Sequence, residues 1–174
     1  MSALDNTTPE NRNFLSPLNF RFQIKKAPNV NFFVQKVNIA PISIKPAITA
    51  TPFVNIPFPG EHIDYDALSI TFKVDEDLQN YLEIHNWLKA LGKPKDFSEY
   101  ADLANNPSYT GDGIYSDISL TVLTSDKAPN YETIYVDAFP ISLSGLTFNT
   151  TDSDVNYLEA SASFKYTYYD INKI

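Results

Sequence analysis

The chain contains no cysteine. Disulfides, thiolate zinc centres and cysteine nucleophiles are therefore excluded, and the composition fits a reducing compartment. Glycine is scarce, with five in 174 residues, and none of them builds a G-x-G-x-x-G or P-loop phosphate cradle. Only two histidines are present, His62 and His85, which leaves little for general acid–base chemistry. No apolar run approaches the ~18 residues of a membrane span. The opening stretch, MSALDNTTPENRNF, has no basic region followed by an apolar core and does not read as a secretory signal. Basic residues are also few. Thirteen Lys and Arg face twenty-one Asp and Glu, giving a formal net charge of −8. Lys25-Lys26 is the only adjacent basic pair, so the basic footprint of ordinary duplex-DNA binding is missing.

Apolar and aromatic residues are plentiful, at 43% and 14%, enough for one sizeable core. Residues 1–16 are polar and read as a flexible arm, and residues 17–174 as a single domain. The organising stretch is 58–91. After a Pro59-Gly60 turn, residues 67–75 alternate. Leu68, Ile70, Phe72 and Val74 share one face; Ser69, Thr71, Lys73 and Asp75 share the other. Asp75 and Asp77 then provide the acidic start of a helix over 78–91. Its apolar stripe includes Leu78, Leu82 and Trp87, with Tyr81, Ile84, Leu88 and Leu91 expected to face the core. Gly92 followed by Lys93-Pro94 stops it.

Elsewhere the pattern is mostly strand. Leu18, Phe20, Phe22 and Ile24 alternate over 18–26, and a turn at 27–29 leads to a second strand over 30–39. Adjacent Phe32 and Phe33 break its alternation, which predicts a bulge or two covered faces. Further strands are expected over 117–124, 131–137, 141–148 and 157–170, the last with long unbroken alternation. Residues 93–116 read as an exposed insert loop, with a short helical turn over 97–103. About seven meandering strands with one flanking helix predict a mainly β chain, a β-sandwich or partly closed barrel. The segment 40–59 is unusual. Five prolines (Pro41, Pro46, Pro52, Pro57, Pro59) punctuate Ile42, Ile44, Ile48, Phe53, Val54, Ile56 and Phe58. So apolar a segment is expected to dock on something, such as another subunit.

The catalytic inventory is thin. Glu61, His62, Asp64 and Asp66 lie close in sequence, but neighbouring strand residues point to opposite faces, so this is a polar strand entrance and no metal site is assigned. His85 has no partner at the spacing of a helical zinc motif. Ser144-Gly145 lacks the preceding glycine of a nucleophile elbow. Asp152 and Asp154 lie in a turn, where aspartate serves the backbone. No enzyme and no cofactor are expected.

An ordered set of segments resembles the contractile-phage tail tube protein family of the T4 type. The set comprises Phe20-Arg21-Phe22-Gln23-Ile24, then Lys36-Val37-Asn38-Ile39-Ala40-Pro41. Next come Pro59-Gly60-Glu61 and Asp64-Tyr65-Asp66-Ala67-Leu68-Ser69-Ile70-Thr71-Phe72. Ala138-Phe139-Pro140-Ile141-Ser142-Leu143-Ser144-Gly145-Leu146 and Phe164-Lys165-Tyr166-Thr167-Tyr168-Tyr169 complete it. The resemblance covers about residues 17–171. It implies a structural virion protein of the phage tail, made in the host cytoplasm. Six subunits would form a ring, hairpins would join an intersubunit β-barrel, and stacked rings would conduct double-stranded DNA during ejection without specific binding. Phe53, Val54, Ile56 and Phe58 would carry subunit and ring-stacking contacts. Sheath, baseplate and terminator proteins would be partners, and a membrane would not. Alternatives within the same machinery are a tube terminator, a baseplate tube initiator or a secretion-system tube ring; outside it, a monomeric ligand-binding β-sandwich. Chain length and the lack of extra domains favour the repeating tube subunit.

Overall fold

The computed structural model describes residues 14–92, 97–106, 113–151 and 157–174. The expected arm over 1–16 and the turn at Asp152 and Asp154 fall largely or wholly outside these residues. So do parts of the insert 93–116.

Seven strands make one antiparallel sheet. These are β1 (Phe20–Ile24), β2 (Val34–Asn38), β7 (Leu68–Lys73), β8 (Ser116–Leu123), β9 (Pro129–Leu143), β10 (Glu159–Lys165) and β11 (Tyr168–Lys173). Their order is β1-β8-β9-β10-β7-β2, with β11 also on β9. The long strand β9 is the pivot. Its first part is flanked by β8 and β11, and its last part pairs with β10. The sheet therefore folds into two layers that share β9. Buried Phe22, Ile118 and Tyr135 from one layer enclose a single core with Ile70, Phe72, Ala162 and Phe164 from the other. The mainly β fold with a flanking helix is as the sequence predicts.

Three local departures have physical causes. Residues 28–33 form a short helix, α1 (Pro28–Phe33), where a turn and strand were expected. Pro28 sits at the first helical position, where its missing N–H costs nothing. The Asn31 side chain accepts from the Ile24 N–H at 2.8 Å and donates back to the Ile24 carbonyl at 3.2 Å, which closes the β1–α1 corner. Helical spacing then explains the adjacent phenylalanines: Phe33 packs on the core while Phe32 is 84% exposed. Second, the two strands expected over 131–148 are one strand, β9. It turns between layers at Asp137, whose φ of 55° is left-handed. Third, the strand expected over 157–170 breaks at Tyr166-Thr167, opposite that point. The Thr167 N–H donates to the Val136 carbonyl at 3.0 Å as the chain moves from one layer to the other.

Helix α2 (Gln79–Gly92) lies against the core. The Asp75 carboxylate accepts from the Gln79 N–H at 2.8 Å, an acidic cap on the helix start. Asn80 is fully buried and tied to the β7 end by a bond to the Lys73 carbonyl at 2.8 Å. Trp87 donates to the Ile114 carbonyl at 3.0 Å and packs its ring 6.1 Å from that of Phe164. A further helix, α3 (Ser98–Asn105), follows α2, and the Lys89–Glu99 ion pair joins the two.

Candidate assembly site

The apolar, proline-punctuated segment is a projecting β-hairpin. Strands β3 (Ile42–Ile44) and β6 (Ile63–Tyr65) pair first, then β4 (Ala47–Ala50) and β5 (Asn55–Phe58). It extends β2 and β7 outward from the sheet. At ~3.3 Å per residue it reaches about 30 Å. Proline is compatible with this because a two-stranded arm has two free edges, where a missing donor breaks no ladder. Pro57, within β5, lies opposite Ile48. Such prolines also blunt indiscriminate edge pairing.

The arm is built to be stiff. At its tip the Thr51 hydroxyl donates to the Val54 carbonyl and accepts from the Val54 N–H, at 2.5 and 3.2 Å. At its middle a Cβ on Gly60 would lie 2.1 Å from the Lys45 carbonyl oxygen. Only glycine permits this close approach. Lys45 and Asp64 pair at 2.9 Å across the arm, and the bond raises the ammonium pKa above its ordinary value. Both groups are exposed, so the pair serves register more than stability. At the root the Asp66 N–H donates to the Pro41 carbonyl at 3.1 Å, and the Tyr169 hydroxyl donates to the Ala40 carbonyl at 3.2 Å. Lys165 also reaches the Tyr65 carbonyl.

What the arm presents is apolar. Phe53 is 97% exposed at the tip, with Val54 beside it at 61%. Ile56 and Phe58 share one face of β5, opposite only Thr49 and Ala47, and so stay uncovered at 43% and 51%. Ile42, Ile44, Ile48 and Ile63 are exposed as well. The four residues expected to make contacts between subunits therefore lie together on the outer half of the arm. Exposed apolar side chains therefore stand on both faces of the hairpin.

The four helix residues lie on the side of α2 that faces the sheet. Ile84 is fully buried, while Tyr81, Leu88 and Leu91 pack half-buried against the core, and the Tyr81 hydroxyl donates to the Ser144 carbonyl at 3.0 Å. Two features were not legible in advance. One is a second exposed aromatic patch where β7 meets α2: Phe148 and Tyr157 are 75% and 72% exposed, and the Lys73 ammonium sits 5.1 Å from the Tyr157 ring centre. The other is a cluster of Tyr65, Tyr135, Tyr166 and Tyr169 at the arm root. Tyrosines 166, 168 and 169 were visible in the sequence, but the cluster needs the bend at Thr167 to form.

The outward face of the β9–β10–β7–β2 layer is hydroxyl-rich. Ser69, Thr71, Ser161 and Ser163 line it in register, and the Ser69 and Ser163 hydroxyls meet at 3.4 Å. Lys36, Lys73 and Lys165 flank them with one acid, Glu159. The chain's negative charge is concentrated elsewhere.

No family model matches the chain. Over 116 residues it is 28% identical to the tail tube terminator protein of Enterobacteria phage T4, a stretch covering 66% of this chain and 61% of that protein. The fold is similar to a chain of the tube-terminating cap of the anti-feeding prophage, with a TM-score of 0.58 and 12% identity. That likeness covers 99% of this chain and 100% of the other. It is also similar to a chain of the sheath–tube complex of an extracellular contractile injection system, at TM-score 0.56 and 14% identity, covering 94% of each chain.

Proposed function

We infer that this chain, which resembles the T4-type contractile tail family in sequence and in fold, is a structural tail protein that closes a tube and does not repeat along it. The observation that carries this is the 28% match to a tube terminator. The structural likenesses, at 12% and 14% identity, speak to the fold alone. The repeating tube subunit, the first reading of the sequence, has less support than the terminator. Physics supplies a reason for the arm. Its exposed Phe53, Val54, Ile56 and Phe58 need a partner surface, and the last ring of a tube offers one. A terminator uses such a surface once, and its other face stays closed to further rings.

In this reading six copies form a ring on the end of the inner tube, within the virion tail, beside sheath protein and without catalysis. Double-stranded DNA passes through the ring without specific recognition. Negative-stain microscopy of the purified chain tests the reading. Single six-fold rings are expected. Hollow tubes of many stacked rings would return the assignment to the repeating subunit, and monomers alone would leave a ligand-binding sandwich.

A further inference from the structure

The tyrosine cluster at the arm root is drawn from four segments: Tyr65 in β6, Tyr135 in β9, Tyr169 in β11, and Tyr166 between β10 and β11. The Tyr135 ring centre is 4.9 Å from that of Tyr166 and 5.3 Å from that of Tyr169; Tyr65 lies 5.9 and 5.7 Å from the same two. Edge-to-face packing accounts for the rings. It leaves two hydroxyls unexplained. Tyr135 and Tyr166 are 0% and 6% exposed, and neither hydroxyl has a hydrogen-bond partner among the described residues. Native interiors seldom leave one such group unpaired, and two side by side are rarer still.

The surroundings of the two hydroxyls are polar. The Ala40 backbone lies beside the Tyr135 hydroxyl without closing a hydrogen bond to it, and the Ala40 carbonyl accepts from Tyr169 at 3.2 Å. Asp66 lies near Tyr166, and the Tyr169 phenol lies near both. Burial raises both phenol pKa values, that of Tyr166 to about 12. Both therefore stay neutral around pH 7, each able to donate and to accept. With donors and acceptors mixed and a single carboxylate nearby, the site suits a neutral ligand that does both, and water is the smallest. Buried waters satisfy such polar groups at two to four hydrogen bonds each.

We propose that the Tyr135 and Tyr166 hydroxyls bind one internal water that bridges the sheet to the root of the arm. That water joins β9 to the β10–β11 corner beside Tyr169, whose hydroxyl bonds the Ala40 carbonyl where the arm leaves the body, and so holds the arm at a fixed angle. It also protects the neighbouring bond from the Asp66 N–H to the Pro41 carbonyl, at 3.1 Å.

A high-resolution experimental structure should place one ordered water about 2.7–3.0 Å from both hydroxyls. Density showing the hydroxyls bonded directly to each other or to Ala40 would overturn the proposal. The Tyr135→Phe/Tyr166→Phe double variant supplies a second readout by amide hydrogen exchange. Loss of the water should lower Tm and speed exchange at the Asp66 amide about tenfold or more, with β8 amides unchanged. A raised Tm with unchanged Asp66 exchange means the phenols were unpaired all along, and it overturns the proposal as well.

Discussion

Asp137 stands at φ 55° in the middle of the longest strand, at the point where β9 passes from one layer to the other. Aspartate tolerates this left-handed conformation better than most residues, and a β-branched residue does not. Its side chain is exposed, so substitution there reports on the backbone and not on packing. Asp137→Val should lose about 1–2 kcal/mol in urea unfolding. Asp137→Gly should stay within about 0.5 kcal/mol of the wild type, because relief of strain offsets the added unfolded-state entropy. Equal losses for both variants would mean that the carboxylate matters and the turn does not. Glu83 offers a residue-level test of pH dependence. Its two oxygens accept from the Asn29 main-chain N–H at 3.1 Å and side-chain amide at 2.8 Å, tying α2 to α1. Desolvation by burial nevertheless raises its pKa, and nearby Asp75 adds to the shift. A carboxyl raised in the folded state contributes stability below its unfolded pKa and loses that contribution as pH rises through the folded pKa. Glu83→Gln removes the titration. The difference in Tm, variant minus wild type, should therefore grow from pH 4 to pH 7. A difference that stays constant over that range would show that Glu83 does not titrate in this way.

Periodicity made whole elements legible where each face has one fate. Leu68, Ile70 and Phe72 are buried as the two-residue alternation of β7 requires, and Ile84 is buried as the stripe of α2 requires. It failed where the backbone changes direction. Phe32 and Phe33 read as an irregular strand because a six-residue helix is too short to show its period. The bend at Thr167 was hidden because Tyr166 and Tyr168 carry the alternation across it, whereas near Asp137 the sequence showed a break between two strands and the structure keeps one bent strand. The arm was half legible: its apolar content pointed to a partner surface, yet its five prolines argued for a loop. Pro57 is accommodated because a two-stranded hairpin leaves both edges free. The arm is also where function and folding separate. Phe53 and Phe58 touch little of the body, being 97% and 51% exposed. Phe53→Asp/Phe58→Asp should therefore leave Tm within about 2 °C of wild type, as surface changes usually do. The same variant should lose association with tubes or with other copies, read by sedimentation. Unfolding of the double variant would instead make the arm part of the core.

At the scale of the whole molecule, charge and open edges decide what the chain builds. In the ordered sheet β1 and β2 stand at the two ends, and β11 pairs only with β9 among the described residues. Unpaired edges of this kind invite pairing with another copy, and a closed ring satisfies them without leaving a growing end. In the proposed ring, six chains at −8 carry 6 × −8 = −48. The hydroxyl face of β7 and β10, with Lys36, Lys73 and Lys165 around it, contributes none of that excess. So large a net charge disfavours stacking of one ring on another at low salt for any subunit type, which makes ionic strength the discriminating variable. Raising salt from about 0.05 to 0.5 M shortens the screening length from over 10 Å to about 4 Å and removes most of that repulsion. A repeating subunit, whose two ring faces are complementary, should then lengthen into tubes. A terminator has only one face to offer and should remain a single ring. Six chains of 19.6 kDa give 6 × 19.6, or about 118 kDa. Mass photometry should show one species near that mass at both salt concentrations, and a ladder of its multiples at high salt would sink the terminator assignment while leaving the tail-tube fold intact.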